Sequence, residues 1–203
     1  MSQQITYFTS PVSPYNYLGA ARFREMVQSR GLVVDMKIMD LGQVFPETGG
    51  LPLPQRAPER LAYRLQELKR FSQFLDLPIT PQPAHFPPSS MLGGLVVAAA
   101  RRQGTALAMQ VLETVLNMTW AQEQDSGDAS ALSAALTAAG CDADALISLA
   151  QAEPESLQAE IAADSQLAIK EGVFGAPSFK VGDELFWGQD RLDMLAWHLD
   201  QIG

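Results

Sequence analysis

Ser13 and Pro14 stand between a short β-rich run at 5–8 and a long helical pattern. Ser is a favoured helix N-cap and Pro a favoured first helical residue, so we predict that a helix begins at Pro14. The N-terminus of a helix carries free N–H groups and a partial positive charge, and an anion can bind there beside the Ser13 hydroxyl. Ser13 is therefore either a simple helix cap or part of an anion site, and these two residues alone leave both interpretations open.

Other common uses of a reactive serine, or of a bound metal, find little support in the sequence. A Ser-His-Asp hydrolase would need His85 or His198 beside Ser13, and the GxSxG motif is absent. The chain has no HExxH motif and no cluster of His with carboxylates, so we expect no metal site. Cys141 is the single cysteine, which excludes an intramolecular disulfide, a CxxC redox pair and a cysteine-built zinc site.

Length and composition indicate one globular domain, or one domain with a large insertion. The 203 residues are 47% hydrophobic and 18% charged, which is enough to build a core. A formal net charge of −9 and the lack of any Lys/Arg run disfavour general binding to nucleic acid. The apolar run at 91–100 is too short for a membrane span, and no signal-peptide pattern opens the chain. We therefore predict a soluble cytoplasmic protein.

Strand patterns occur at both ends of the chain, and a long helical region separates them. The strand candidates are 5–8, 32–38, 177–181 and 184–187, and the last two flank a Gly-Asp turn signal. The first strand, the helix after Ser13 and the second strand form a right-handed βαβ unit by default. The further helices are predicted over 57–77, 90–103, 105–124, 129–139, 142–152, 154–171 and 190–201.

Residues 44–58, with the sequence VFPETGGLPLPQRAP, are rich in Pro and Gly. We predict an irregular loop there, because prolines disrupt helices and central strands. A loop of this length is either part of a functional site or a surface linker between subdomains, and the sequence leaves both interpretations open.

The element order βαβ, helical region, ββα predicts a thioredoxin-like α/β fold with a large all-α insertion. Segments 1–42 and 166–203 would form the thioredoxin-like domain around one four-stranded sheet, and 43–165 would form the inserted helical domain with its Pro/Gly-rich loop. In that arrangement the start of the first helix faces the turn before the third strand. Ala176 and Pro177 would then lie next to Ser13, and the resemblance to thioredoxin-like proteins implies a cis bond at Pro177.

Five segments carry a more specific pattern: SPYNYL at 13–18, DLGQVFPETGGLPLP at 40–54, APERLAYRLQELKRF at 57–71, GVFGAPSF at 172–179 and FWGQDRLDML at 186–195. In this order and at these distances they resemble 2-hydroxychromene-2-carboxylate isomerases. That family is similar to kappa-class glutathione transferases and, more distantly, to bacterial disulfide oxidoreductases. The resemblance runs from end to end and implies a glutathione-dependent isomerase of an aromatic, chromene-carboxylate-like substrate.

The resemblance implies that Ser13 replaces the catalytic cysteine of the redox relatives. A cysteine here would form a mixed disulfide with glutathione, whereas a Ser hydroxyl can only donate a hydrogen bond to the thiolate. A thiol with a pKa of about 8.5 is mostly protonated at neutral pH, so a hydroxyl donor at a helix N-terminus would enrich the thiolate. Ser13 would thus aid ionisation and would not be a covalent nucleophile.

The same resemblance implies the remaining glutathione contacts. Ala176, held by Pro177, would bind the cysteinyl main chain, and Gln189 and Asp190 would bind the γ-glutamyl end. Arg60 stands where relatives carry a Lys that meets a glutathione carboxylate. Without the resemblance, Gln189 and Asp190 are equally consistent with helix capping, and Arg60 with a solvated helix charge.

The aromatic residues Tyr15, Tyr17, Phe45, Phe86 and Trp187 could form an apolar wall for the substrate, although such spacing is also typical of core residues. Leu51 departs from the family pattern, in which several members place an Asn in this loop. Two other functions remain open: a kappa-type transferase that leaves glutathione on an electrophile, and a non-catalytic thioredoxin-like protein that binds peptides. The family also implies a homodimer.

Overall fold

Both ends of the chain meet in one four-stranded sheet in the computed structural model, which describes residues 4–202. The strands are β1 (Gln4–Thr9), β2 (Val33–Ile38), β3 (Ser178–Val181) and β4 (Glu184–Trp187), in the order β2-β1-β3-β4. β1 runs parallel to β2 and antiparallel to β3, and β4 is antiparallel to β3. The predicted thioredoxin-like sheet with an intervening helical region is confirmed.

Helices fill the chain between and after the strands. They are α1 (Pro14–Arg30), α2 (Leu41–Thr48), α3 (Pro58–Leu75), α4 (Leu92–Gln103), α5 (Thr105–Trp120), α6 (Ala129–Ala138), α7 (Ala143–Ala152), α8 (Pro154–Lys170) and α9 (Leu192–Ile202), with 3-10 turns at Leu53–Gln55 and Gln189–Arg191. The helices predicted beyond residue 57 are all found, although several end a few residues earlier or later. Within residues 4–202, no helix combines the length and the hydropathy needed to cross a membrane.

The expectation of an irregular loop over 44–58 is wrong for its first part, because α2 extends to Thr48 with Pro46 inside it. Asp40 caps this helix by accepting a hydrogen bond from the Gly42 N–H at 2.8 Å, and Gly49 ends it in the left-handed conformation. α2 also packs on α8. Caps at both ends and this packing offset the single hydrogen bond that a proline removes.

An aromatic cluster fixes α1 on the sheet. Tyr7 of β1 and Phe179 of β3 are register partners, and their rings stack with centroids 5.2 Å apart. Phe23 of α1 packs on both rings, with centroid distances of 4.6 Å to each. All three side chains are buried, so the start of α1 has a fixed position relative to the ends of β1 and β3.

A buried carboxylate ties α8 and α4 to the end of β2. Asp164 of α8 accepts a hydrogen bond from the Ile38 N–H at 2.9 Å and forms an ion pair with Arg101 of α4. The neighbouring Ser165 accepts from the Asp40 N–H at 2.9 Å. The boundary predicted between 165 and 166 thus falls inside α8, and the division into two domains stays a prediction.

Replacing Asp164 by Ala should lower the free energy of unfolding by about 3 kcal/mol, because one partner of a largely buried ion pair is lost and the Ile38 N–H is left without its acceptor. Urea denaturation measures this loss. Asp200→Asn is the control, since it breaks the exposed ion pair with Arg30 and should change stability little. Equal effects of the two substitutions would contradict a structural role for Asp164.

Candidate functional site

Ser13 is the N-cap of α1, as predicted, and its hydroxyl also reaches the far end of the chain. Its oxygen accepts a hydrogen bond from the Asn16 N–H at 3.3 Å, and Pro14 is the first residue of the helix. The same hydroxyl donates to the Ala176 carbonyl at 3.1 Å. The Ala176-Pro177 peptide bond is cis, also as predicted. Ser13 and Ala176 are both buried, so the structure brings together two groups separated by 163 positions.

Asn16 holds the turn between β1 and α1, and our sequence analysis missed it. Its amide nitrogen donates to the hydroxyls of Tyr7 at 2.9 Å and Thr9 at 2.6 Å, and its amide oxygen accepts from the Ser10 N–H at 3.2 Å. The Ser13 N–H in turn donates to the Ser10 carbonyl at 3.1 Å. An Asn between two tyrosines in the first turn of a helix was the available signal, since Asn favours side-chain bonds to nearby backbone over helical interiors.

Tyr7 and Tyr15, like Tyr17, have raised pKa values. Burial raises the pKa of Tyr7 to about 12, although its hydrogen bonds to Thr9 and Asn16 oppose the shift. Burial, followed by the hydrogen bond to Glu67, raises the pKa of Tyr15. The Tyr15 hydroxyl donates to a carboxylate oxygen of Glu67 at 2.8 Å. Both phenols therefore stay protonated at neutral pH.

The segment expected to bind the γ-glutamyl end adjoins the cis-proline turn, because the Gly188 N–H donates to the Pro177 carbonyl at 2.9 Å. Gln189, however, is buried, and its amide oxygen accepts from Arg22 at 3.0 Å. Its amide nitrogen has no partner among the described residues. Asp190 is exposed and pairs with the neighbouring Arg191 at 2.6 Å.

Close packing explains the burial of Gln189. A Cβ atom added to Gly19 of α1 would lie 2.7 Å from the Gln189 Cβ, so only glycine leaves room for it. The Gln189 side chain therefore packs against α1, while the Asp190 carboxylate remains accessible.

The aromatic residues proposed as a substrate wall separate into different environments. The Tyr17 hydroxyl donates to the Pro78 carbonyl at 2.5 Å, and Phe86 packs on the buried Trp120 with centroids 5.0 Å apart. Phe45 lies under the guanidinium of Arg56, 5.6 Å from its ring centre. Trp187 is 52% exposed and packs edge-on against Phe174 at 4.7 Å.

Trp187 also borders the cis-proline turn, because a Cβ added to Gly175 would lie 2.4 Å from its indole nitrogen. Its contacts therefore place it with Gly175 and Phe174. The substrate-binding roles of Tyr15, Phe45, Phe86 and Trp187 stay predictions.

From the sequence we singled out Arg60 but neither Arg56 nor Arg64. Arg60 is exposed, and within residues 4–202 its side chain has no hydrogen-bond or ion-pair partner. Arg56 donates to the Leu51 carbonyl at 2.7 Å, and the Arg64 guanidinium lies 5.8 Å from the ring centre of Trp120. The spacing of four residues between Arg60 and Arg64 on α3 was a sequence signal for a shared face that we did not use.

A cavity of about 760 Å³ lies elsewhere, between α1, α3, α5 and α6. Its lining includes Tyr17, Arg22, Leu75, Glu113 and Asn117. The cavity lining does not include Ser13 or Ala176, whose hydroxyl and carbonyl meet at the start of α1. The arrangement suited to stabilise an anion is the one at Ser13.

The raised pKa of Tyr7 predicts a pH dependence of stability. The folded protein holds this phenolic proton more tightly than the unfolded chain, so stability is full below about pH 10 and is lost as the pH rises towards 12. In Tyr7→Phe the free energy of unfolding should therefore fall less at alkaline pH than in the wild type, by up to about 3 kcal/mol. Urea denaturation at several pH values between about 9 and 11.5 measures the two slopes.

Tyr63→Phe, on the exposed side of α3, is the control for losing one tyrosine. If Tyr7→Phe were to lose stability with pH as steeply as the wild type, the burial argument for Tyr7 would be wrong.

Comparison with known proteins supports the thioredoxin-like fold. The model of the DSBA-like thioredoxin domain matches residues 4–200. A 2-hydroxychromene-2-carboxylate isomerase of Sphingobium xenophagum is 26% identical over 200 residues, covering 98% of this chain and 99% of that protein. The isomerase of the same name from Pseudomonas putida is 29% identical over 197 residues, covering 94% of this chain and 91% of that protein. Glutathione S-transferase kappa 1 of Caenorhabditis elegans is 32% identical over 81 residues, covering only 39% and 35%.

Solved structures share the fold. The structure of a 2-hydroxychromene-2-carboxylate isomerase superposes with a TM-score of 0.78 at 24% identity, covering 98% of this chain and 95% of that one. The cytosolic disulfide reductase DsbM from Pseudomonas aeruginosa, solved with GSH, gives a TM-score of 0.66 at 15% identity and 98% coverage of both chains. With nearly its whole length matched by the family model, this chain belongs to the DSBA-like thioredoxin domain family.

Proposed function

We propose that the protein is a glutathione-dependent isomerase of aromatic, 2-hydroxychromene-2-carboxylate-like compounds. One observation carries the proposal: the Ser13 hydroxyl at the start of α1 meets the Ala176 carbonyl of the cis-proline turn. The names of the two isomerase relatives support the reaction class. The kappa-class relative and the DsbM structure with GSH support glutathione as the cofactor.

The charge at the start of α1 suits a thiolate. Within the described residues, the first turn of α1 contains no acidic side chain that would offset the positive helix end. A glutathione thiol has a usual pKa near 8.5, and a helix N-terminus together with a hydroxyl donor lowers such a value. Ser13 would therefore raise the fraction of thiolate without forming a covalent bond itself.

Binding of the glutathione main chain to the Ala176 carbonyl would change the direction in which the Ser13 hydroxyl points. A hydroxyl has one proton, and that of Ser13 is donated to the Ala176 carbonyl. If this carbonyl accepts the cysteinyl N–H of glutathione, the Ser13 hydroxyl can turn towards the sulfur without leaving a buried carbonyl unpaired. The Asn16 N–H would continue to hold the Ser13 oxygen at the N-cap.

When bound, glutathione supplies a nucleophile that adds reversibly to a conjugated carbon, so that ring opening and rotation about a single bond precede its elimination and the release of a trans enone acid. The role of the chain is to bind both molecules, to orient them and to keep the sulfur ionised through Ser13. The sulfur leaves unchanged, so the thiol acts as a cofactor.

Further contacts to glutathione are proposed on the residues that remain accessible. Arg60 would bind a carboxylate, since it is exposed and its side chain has no partner within the described chain. Asp190 would bind the γ-glutamyl ammonium, and Gln189, whose side chain packs against α1, would contribute through its main chain. A thiol cofactor also fits the reducing cytoplasm, which we propose as the location, and a homodimer stays a prediction of the family resemblance.

Ser13→Ala should reduce kcat/KM of isomerisation at neutral pH by about 10- to 100-fold, because it removes a hydrogen bond to a charged sulfur. Steady-state kinetics with 2-hydroxychromene-2-carboxylate and glutathione measures the effect. The deficit should shrink at alkaline pH, where the thiol ionises without help.

Ser10→Ala is the matched control, because it removes a neighbouring buried hydroxyl and keeps the main-chain bonds of Ser10 to Ser13 and Asn16. Unaltered turnover by Ser13→Ala would exclude Ser13 from the mechanism. Calorimetry that detects no glutathione binding by the wild type would instead favour a non-catalytic binding protein.

The total of free thiol should stay constant while substrate is consumed, because an isomerase regenerates glutathione. A thiol assay run beside the substrate spectrum measures both quantities. Loss of one thiol per substrate molecule would show a kappa-type transferase that uses the same Ser13 site.

A further inference from the structure

Arg56, Arg60 and Arg64 differ from most other arginines of the chain because none of them has a carboxylate partner within residues 4–202. By contrast, Arg24 and Arg30 each have a carboxylate oxygen at 2.6 Å, and Arg102 has one at 2.7 Å. The chain contains 23 acidic residues against 14 basic ones, so carboxylates are in excess overall. Among the described residues Arg70 is the remaining arginine without a carboxylate partner, so the lack is confined to the segment 56–70.

Two of these guanidinium groups lie against aromatic rings. Arg56 lies over the ring of Phe45 at 5.6 Å, and Arg64 over the ring of Trp120 at 5.8 Å. Both are partly buried, whereas Arg60 is exposed. Trp120 itself is fully buried, so Phe45 is the ring of the two that a ligand can reach, and we call Arg56, Arg64 and Phe45 the arginine–aromatic surface.

This surface lies beside the candidate site. Tyr15, two residues after Ser13 in the first turn of α1, interacts electrostatically with both Arg56 and Arg64, and Arg56 lies near enough to Arg64 for repulsion between them. Both positive charges therefore lie near the Tyr15 side chain, which belongs to the first turn of the helix where the thiolate is proposed.

The carboxylate best placed to neutralise Arg64 is used elsewhere. Glu67 lies three residues after Arg64 on α3, a spacing that permits ion pairs. Its carboxylate accepts from the Tyr15 hydroxyl at 2.8 Å, and it does not come within ion-pair distance of Arg64. Tyr15 thus holds Glu67 and leaves the Arg64 charge available.

The unpaired charges are unfavourable without a ligand. Neither Arg56 nor Arg64 has a carboxylate partner among the described residues, and burial accordingly lowers the pKa of both. Arg60 and Arg64 are also like charges four residues apart, in the first half of α3, where the helix dipole disfavours cations. A bound anion would offset both the burial of these positive charges and the repulsion between them.

We infer that Arg56 and Arg64 bind the carboxylate of the aromatic substrate, with its ring against Phe45. This inference rests on the proposed function. A planar guanidinium suits a carboxylate in two-point contact, and it stacks on aromatic faces. Arg60, which is exposed, stays assigned to the glutathione carboxylate.

Calorimetry with 1-naphthoate and its neutral analogue 1-naphthamide, in the presence of saturating glutathione, tests the assignment without turnover. The wild type should bind naphthoate about 10-fold or more tightly than naphthamide. Arg64→Met should lose about 10-fold in naphthoate affinity and little in naphthamide affinity, as expected for removing one charged hydrogen-bonded partner. Arg64→Lys should recover part of the loss, because it restores the charge without the planar contact.

Arg70→Met is the matched control, because Arg70 lies on the same helix, is exposed and bonds only to Gln66 and the Tyr63 ring. It should bind naphthoate as the wild type does. Arg56→Met serves as a second variant if Arg64→Met does not fold. In turnover, Arg64→Met should raise KM for the chromene carboxylate and leave kcat nearly unchanged.

Equal naphthoate affinity of the wild type, Arg64→Met and Arg56→Met would overturn the inference. So would loss of glutathione affinity with naphthoate binding intact, since Arg64 would then hold the cofactor. Arg64-dependent naphthoate binding in a wild type that shows no isomerisation would support the carboxylate site and contradict the proposed function, so the two failures are distinguishable.

Discussion

The hydrogen bond from the Ser13 hydroxyl to the Ala176 carbonyl joins the two ends of the chain at one point. It can form only because both ends contribute to a single sheet, in which β1 and β3 are neighbours. The ring cluster of Tyr7, Phe23 and Phe179 fixes α1 against those two strands. The packing of the core thus determines the position of one hydroxyl, and that hydroxyl determines where a thiolate would be stabilised.

The site combines a rigid part with charges that the protein does not neutralise. Asn16 and its three partners hold the backbone of the β1–α1 turn, so only the Ser13 hydroxyl would have to turn for the helix end to receive an anion. Close by, Glu67 is bound to Tyr15, and Arg56 and Arg64 lack carboxylate partners in the described part of the chain. Two anions, a thiolate and a carboxylate, would therefore neutralise the positive charges of this region in an otherwise acidic protein.

Local patterns predicted much of the fold and the centre of the site. Ser13 and Pro14 mark the start of α1 by their capping chemistry, and the thioredoxin-like arrangement placed Ala176 beside Ser13. Tertiary contacts explain what was missed or wrong. α2 tolerates Pro46 because it is capped and packs on α8, and Gln189 is buried because it fits over Gly19. The bond between Tyr15 and Glu67, which leaves Arg64 unpaired, joins two helices and has no signature in either segment alone.

The pKa of the glutathione thiol in the bound state tests the central claim most directly. Titration of the ultraviolet absorbance of the thiolate, in complexes with the wild type and with Ser13→Ala, measures it. We predict a pKa at least about one unit below the free value of about 8.5 in the wild type, and a return towards that value in the variant. A bound thiol with the same pKa in both proteins, or one that is not lowered at all, would contradict the role of Ser13.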